Sequence, residues 1–505
     1  MNTKQLRQKI LSLAIRGKLV PQDTDDEPAS VLLERIRAER EKLIKEGKIK
    51  RDKKERNIFR GNDRLRHERV ANKTAYIDEQ IPFDVPSGWA TFNLGDLFCI
   101  VGGGTPSTNE ASYWGEGTPW FSSADIDGNG KIVTRRCVTN LGIKNSTTNV
   151  VPMGSIVVVT RVGLGKVAML TKDMCFSQDT QALILFYEGV LFNRFVFYFL
   201  FFIMQSLKHS GRGTTILGIT KKQLTDICFP VPPLPEQHRI VAAIESAFTA
   251  IDEIESNKAE LKDAIARTKS KILSLAIRGK LVPQDPNDEP ASALLERIRV
   301  EKEKLIKEGK IKRNKGVSAI FSGGDTSYYA SLPKSWAWAR ICEVCEHQET
   351  KHPTGDTFRY IDIDSINNKL HRITEPKTMP TRQAPSRAAK GVRAGDTLFS
   401  MVRPYLENIA FVTDDLGDCI ASTGFYVCRP YQEIMFPRYL YYFLTSRHAI
   451  DGINAYMRGD NSPAIRKDEM DRFLVPIPPP TEQQRIVTAI ETTFEQLDKI
   501  SGSLS

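Results

Sequence analysis

The sequence predicts an α+β fold: two globular α/β domains separated by two long antiparallel coiled-coil helices, in a pseudo-twofold circular arrangement. Three observations predict it. An unbroken helical pattern runs from Pro232 to Gly279, the two ends of the chain repeat its two halves, and the segments between the repeats share a skeleton of strands and turns.

In the central stretch, Ile240, Ile244, Ala247, Ile251, Ile254, Leu261, Ile265, Thr268, Ile272 and Leu275 alternate at four-three spacing, interrupted by Lys258. That spacing is a coiled-coil seam. Pro232, Pro233 and Pro235 give an extended approach, Glu236 follows where the helix dipole favours an acid, and Gly279 closes the helix after Arg278. At the α-helical rise, Glu236 to Arg278 would span roughly 64 Å, more than a small domain's core needs. Such a helix is a spacer.

The second copy is split. Ile477 to Glu491 matches Val231 to Glu245, with the seam continuing through Thr493, Leu497 and Ile500, whereas Lys9 to Asp23 is identical to Lys271 to Asp285. Tail and head are therefore expected to lie end to end as a second spacer, antiparallel to the first. The repeat runs on from Lys9 to Lys53, where 39 of 45 positions equal those of Lys271 to Lys315. It contains a turn at Pro21 and a helix opened by Asp26-Glu-Pro28 and ended by Gly47, with Leu32, Leu33, Ile36, Leu43 and Ile44 on its apolar side. The basic run Lys48, Lys50, Arg51, Lys53, Lys54 and Arg56, echoed at Lys310, Lys312, Arg313 and Lys315, reads as a solvated face or a phosphate or partner contact.

These repeats divide the chain into an N-terminal repeated region (1–56), a linker (57–84), a first globular domain (85–229), a central spacer and arm (230–315), a linker (316–331), a second globular domain (332–475) and a C-terminal spacer segment (476–505). Each globular domain opens on Pro and Trp (Pro86 and Trp89; Pro333 and Trp336) and passes an expected Asp-Ile-Asp strand (Asp125 to Asp127; Asp362 to Asp364). A Gly-initiated β-branched strand follows (Gly154 to Arg161; Gly395 to Arg403), then an apolar core helix (Phe195 to Met204; Tyr439 to Leu444) and a Gly/Arg loop (Gly211 to Thr215; Arg458 to Asn461). Two domains of one fold with different loops describe a reader of two different things.

Composition agrees with an ordinary globular chain of 505 residues, 41% hydrophobic and 26% charged. Eight scattered cysteines suggest a reducing cytoplasm, and Cys342-Glu-Val-Cys345 has no second pair with which to hold a metal. The apolar run at Ile10 to Ile15 is too short for a signal and recurs inside the chain at Ile272 to Ile277, and Phe195 to Met204 falls short of a membrane span. A net charge of +10 is compatible with nucleic acid. Loop donors that suit phosphates and base edges are Arg161, Lys166, Arg212, Thr214, Thr215, Lys221 and Lys222 in the first domain. In the second they are Arg382, Arg387, Arg403, Asn408, Arg458, Asn461, Arg466 and Lys467. From these, Arg161, Lys166, Arg212, Thr215, Lys221, Arg387, Arg403, Arg458, Asn461 and Arg466 are selected as candidate DNA contacts.

Catalytic signatures are missing. Gly102-Gly-Gly-Thr-Pro-Ser107 lacks the Gly-Lys-Ser/Thr ending of a phosphate loop, and Gly163-Leu-Gly-Lys166 lacks its spacing. Asn461-Ser-Pro-Ala464 lacks the second proline and the aromatic residue of the amino-methyltransferase tetrapeptide. The seven histidines show no pair at metal-ligand spacing, so no metal site is expected.

Three features together carry a resemblance: the duplicated Pro-Pro-x-x-Glu-Gln approach (Pro232 to Ile240; Pro478 to Ile486), Gly103-Gly-Thr-Pro-Ser107 with Tyr113-Trp-Gly115, and Gly395 to Pro404. Over nearly its whole length the chain resembles the DNA-specificity subunit of type I restriction-modification systems. The resemblance implies two target-recognition domains, each binding half of an asymmetric bipartite site in double-stranded DNA. It further implies helices that set the spacer and dock two methyltransferase subunits, to which two motor-nuclease (restriction) subunits add. On that basis the subunit catalyses nothing and binds no cofactor of its own, since S-adenosylmethionine, ATP and magnesium belong to the partners; no membrane is involved. A self-sufficient methyltransferase or nuclease, and a coiled-coil scaffold that binds proteins only, are the competing expectations. The arm at Asp26 to Gly47 has no assigned role.

Overall fold

In a computed structural model, residues 2–46, 56–60, 66–70, 73–76, 84–186, 191–210, 218–308, 332–348 and 350–504 are described. The chain forms two compact units, Met1–Ser256 and Asn257–Ser505.

In the first unit, α1 (Thr3–Ile15) and α2 (Ala29–Lys45) lead into β1 (Arg56–Arg60), β2 (Arg66–Val70) and β3 (Lys73–Tyr76). These three strands make an antiparallel sheet in a stretch expected to be linker. There follow β4 (Ala90–Asn93), α3 (Leu94–Leu97), β5 (Phe98–Gly102), β6 (Trp114–Phe121), β7 (Arg136–Val138), α4 (Asn140–Lys144), β8 (Ile156–Val159) and β9 (Val167–Met169). Then come β10 (Cys175–Phe176), β11 (Thr180–Leu185), α5 (Asn193–Ser210), α6 (Lys221–Thr225), β12 (Cys228–Val231) and α7 (Leu234–Ala276). One sheet has the order β5-β11-β8-β9 and is antiparallel; a second has the order β10-β6-β7, with β10 parallel to β6. The expected core helix is α5, whose Phe195, Val196, Phe199, Leu200 and Met204 are buried against the first sheet and the start of α7.

The second unit repeats the plan with α8 (Ala291–Lys307), β13 (Ala337–Arg340), α9 (Ile341–Val344), β14 (Thr357–Ile361), β15 (Ile366–Asn367), β16 (Arg372–Ile373), β17 (Lys377–Pro380) and β18 (Ala388–Gly391). It continues with β19 (Thr397–Ser400), β20 (Ile409–Phe411), β21 (Ile420–Ser422), β22 (Phe425–Cys428), α10 (Pro437–Leu444), α11 (Arg447–Asn454), α12 (Lys467–Arg472), β23 (Leu474–Ile477) and α13 (Pro480–Ser503). Its sheets run β20-β19-β22 and β17-β14-β21-β18, the latter with β14 parallel to β21.

The reason for the repeated Pro-Pro-x-x-Glu-Gln motif is structural. α7 begins at Leu234, so Pro235 lies inside the first turn rather than in the extended approach, where its missing N–H leaves nothing unpaired. Glu236 does more than meet the dipole. Buried to 1% exposure, it accepts from the Trp89 indole (3.0 Å) and from Gln22 Nε2 (2.6 Å). Glu482 does the same with Trp336 (3.0 Å) and Gln284 (2.5 Å). Burial pushes both carboxyls above their ordinary value, against the pull of these donors. The neighbouring glutamines are buried too: Gln237 donates to Pro232 O and accepts from Phe192 N–H, and Gln483 donates to Pro478 O and accepts from Phe436 N–H. Gly17 and Gly279, at φ of 65° and 64°, end their helices where a Cβ would strike Pro86 or Pro333. In each unit a repeated arm, an opening Pro-Trp and a spacer helix are thus clamped around one carboxylate.

Within the first unit α1 packs on the start of α7, with Arg7 bound to Asp252 at 2.6 Å and lying over the Phe248 ring. Within the second, α13 packs on the end of α7, with Lys269 bound to Asp498 at 2.5 Å and lying over Phe494. The expected seam is buried at Ile240, Ile244, Ile251, Ile265 and Ile272, but Ile254 and Leu261 are 49% and 40% exposed, Thr268 is exposed, and Leu273 is buried more deeply than Leu275. The Asp-Ile-Asp segments are not strands. 3-10 turns interrupt them, Ser123–Asp125 ahead of an isolated bridge at Ile126 and Ile363–Ser365 in the second unit, because the carboxylate of Asp125 accepts from Ser122 N–H and that of Asp362 from Ser365 N–H. On the arm helix Leu32 and Ile36 are buried, while the Leu33 and Leu43 side chains, the basic runs after residues 46 and 308, and the 316–331 linker lie outside the described residues. Among the described residues no helix is long and apolar enough to cross a membrane.

Candidate nucleic-acid interface

β8 and β19 each start at a turn glycine, Gly154 (φ 83°) or Gly395 (φ 90°). In the second unit Asp396 fixes that turn: almost wholly buried, it accepts from Arg393 N–H and from the Arg429 guanidinium at 2.9 and 2.7 Å. Burial raises the Asp396 carboxyl, opposed by Arg429. The first unit has Ser155 there.

At the far end of the same strands three loops meet on one residue. In the first unit, Thr160 donates its N–H to Asp179 O (2.9 Å), in the turn between β10 and β11, and its carbonyl accepts from Ile219 N–H (2.7 Å), after the Gly/Arg loop. In the second, Met401 donates to Gly424 O (2.9 Å) and accepts from Ile465 N–H (3.0 Å). The β8–β9 hairpin loop, or its counterpart between β19 and β20, is thereby locked beside the other two. Loops fixed by backbone bonds present their side chains on a rigid frame.

This junction gathers all five candidates of the second unit. Arg403 donates its backbone N–H to Pro463 O (2.7 Å) and its guanidinium to Asn461 O (3.3 Å). Arg458 pairs with Ala464 through both backbone groups, and its side chain reaches Glu469 at 3.0 Å. Arg466 caps α12 one residue beyond Ile465, and Arg387 O accepts from Thr423 N–H beside Gly424. All five are exposed.

In the first unit Arg161 is exposed next to Thr160, and exposed Lys221 opens α6 two residues after Ile219. Lys166 instead turns back, its ammonium donating to Ser123 O at 2.8 Å, which ties the hairpin to the 3-10 turn. Arg212, Thr214 and Thr215 lie outside the described residues. Lys222 and Arg382 are exposed, Lys467 pairs with Asp471, and Asn408 is buried, its carbonyl accepting from Ser400 N–H.

Sequence reading missed the middle loop. Exposed Gln178 sits in it, its Oε1 accepting from the Thr105 hydroxyl at 2.5 Å, which gives the Gly102 to Ser107 segment a place at the junction. A polar Ser-Gln-Asp break between two apolar strands was the available signal. The eight cysteines are free thiols, and among the described residues no group of acids, histidines and cysteines is placed to hold a metal ion.

Residues 86–263 and 333–503 each match the family described as type I restriction modification DNA specificity domain. The specificity subunit of the type I restriction enzyme EcoAI from Escherichia coli is 26% identical, the alignment covering 98% of this chain and 90% of that protein. The EcoEI specificity subunit, also from Escherichia coli, is 24% identical over 99% and 90%. A solved structure from work on complex assembly and conformational transition of the type I restriction-modification system has the same fold, with a TM-score of 0.58 at 20% identity over 84% of this chain and 94% of that one.

Proposed function

The chain belongs to the type I restriction-modification DNA specificity family, and from that premise we propose that each unit reads one half of an asymmetric bipartite site in double-stranded DNA. The observation that carries this reading is the pair of three-loop junctions at Thr160 and Met401, built alike and furnished differently. Cations on such loops bind phosphates and set register, while amide and guanidinium groups aimed at base edges select sequence. Arg161, Lys221 and Gln178 serve the first half-site, joined by Arg212 and Thr215; Arg387, Arg403, Arg458, Asn461 and Arg466 serve the second. Lys166 positions its hairpin.

In this reading the helices α1, α7 and α13 set the distance between half-sites and dock two methyltransferase subunits, to which two restriction subunits add. The chain itself carries out no catalytic step; S-adenosylmethionine, ATP and magnesium act in the partners. Exchanging residues 85–229 for another such domain, then mapping modified bases in cells that also express the methyltransferase, tests the proposal. One half-site should change and the other stay. A simultaneous change in both halves, or an assembled complex with no sequence-dependent binding at all, overturns it, the second outcome in favour of a protein-binding scaffold.

A further inference from the structure

Three non-glycine residues among those described have positive φ: His371 (49°), Arg403 (48°) and Glu407 (57°). They lie together. Arg403 and Glu407 bracket the 3-10 turn Pro404–Leu406 in the β19–β20 loop, and the His371 imidazole stands 4.0 Å from the Glu407 carboxylate. Left-handed backbone at such residues is costly and persists only where surrounding contacts over-determine it.

Those contacts are present. Beyond the Arg403 to Pro463 bond, Asn368 Nδ2 donates to Leu406 O (2.8 Å), Arg447 binds Glu407 (2.6 Å), and the Tyr441 hydroxyl donates to His371 O (3.3 Å). What the strained turn presents is apolar: Tyr405 is 46% exposed and Leu406 39%. The strained turn thereby holds two large side chains, a phenol ring and an isobutyl group, partly exposed at fixed positions. The first unit makes the corresponding loop with Gly163 (φ 88°) and Gly165 (φ 100°), which adopt such angles without strain.

Resting on the reading of the second unit as a DNA reader, we propose that Tyr405 and Leu406 form a fixed apolar contact to thymine methyl groups in the major groove of the second half-site. The position fits: the turn emerges at the Met401 junction beside exposed Arg458 and Arg466, cations suited to the flanking phosphates. Between those phosphates, the apolar feature that a base edge offers is the C5 methyl of thymine.

The experiment uses the chain assembled with its methyltransferase and duplexes carrying the target found by base mapping, with each thymine replaced in turn by deoxyuridine. In the wild type, at least one replacement in the second half-site should weaken binding about fivefold to tenfold. The double variant Tyr405→Ala, Leu406→Ala should lose a similar factor and become indifferent to that replacement, while keeping its response to base changes in the first half-site. A second half-site without thymine, or a wild type insensitive to every such replacement, overturns the inference and needs no variant. So does a double variant that keeps the wild-type sensitivity. Enhanced fluorescence of 2-aminopurine placed beside the contact would show a wedge that unstacks bases, and would also overturn it. The underlying reading fails separately, through loss of all sequence dependence.

Discussion

The hairpin loop after β8 turns on two glycines; the one after β19 turns on an arginine and a glutamate held in the same left-handed region. Both leave a strand that starts at a glycine turn, and both are pinned at one residue between two other loops. The clamps around Glu236 and Glu482 agree bond for bond in the Trp and Gln donors they accept from. The units share a support and differ in what stands on it, down to whether the loop is relaxed or strained.

The largest expected effect breaks the shared part. In Glu236→Gln and Glu482→Gln, an amide NH2 would face a Trp or Gln donor, leaving a buried donor unsatisfied at about 1–3 kcal/mol. Denaturant unfolding should give similar losses for the two variants; unequal losses would mean that the clamps are not equivalent. Next come the loops. Arg161→Ala and Arg403→Ala should each weaken binding of the assembled complex by about 1–3 kcal/mol where a base contact is lost. Mapping of modified bases should show relaxation in one half-site only, a different one for each variant, and cross-effects would blur the comparison.

Smaller effects sharpen the contrast between the hairpins. Gly163→Ala should destabilise the first unit by about 1 kcal/mol, since alanine resists positive φ. Glu407→Gly should change stability less, because relief of strain offsets the lost Arg447 pair; thermal melts of both variants compare them. The smallest effect is on pH. Burial lowers the His371 imidazole below its ordinary value, opposed by Glu407 and helped by Arg447. The neutral ring is therefore favoured by folding, and the stability it supports is complete above the ordinary imidazole value of about 6.5 and lost as pH falls from there through the lower folded-state value. Unfolding measured from pH 7.5 down to 5.5 should show a loss of stability that His371→Gln abolishes.

Much of this architecture was legible in the sequence, because repeats and periodicity are local records of it. α7 follows from spacing, α1 and α13 from the split repeat, the core helices α5 and α10 from apolar runs, and the strands β8 and β19 from β-branched runs after a turn glycine. The failures have physical causes. Ile254 keeps the seam pattern yet stands exposed in a part of α7 where α1 has only just begun, Arg7 near its start already lying at Asp252 and Glu255. Asp125 and Asp362 look like strand residues until their carboxylates are seen closing turns. Glu236 looked like a dipole partner because its other partners, Trp89 and Gln22, are 147 and 214 residues away. The junction was invisible for the same reason: it consists of main-chain bonds between loops remote in sequence, to which no residue type testifies.

That last property reaches beyond the geometry. Thr160 and Met401 occupy equivalent places with unrelated side chains, since what the two share is their amide and carbonyl bonds, to which Thr160 adds a hydroxyl bond to Asp179 O at 3.3 Å. A scaffold indifferent to the identity of its keystone residue leaves the surrounding letters free to drift. The loops can then change their side chains one at a time while the main-chain bonds that hold them together stay available.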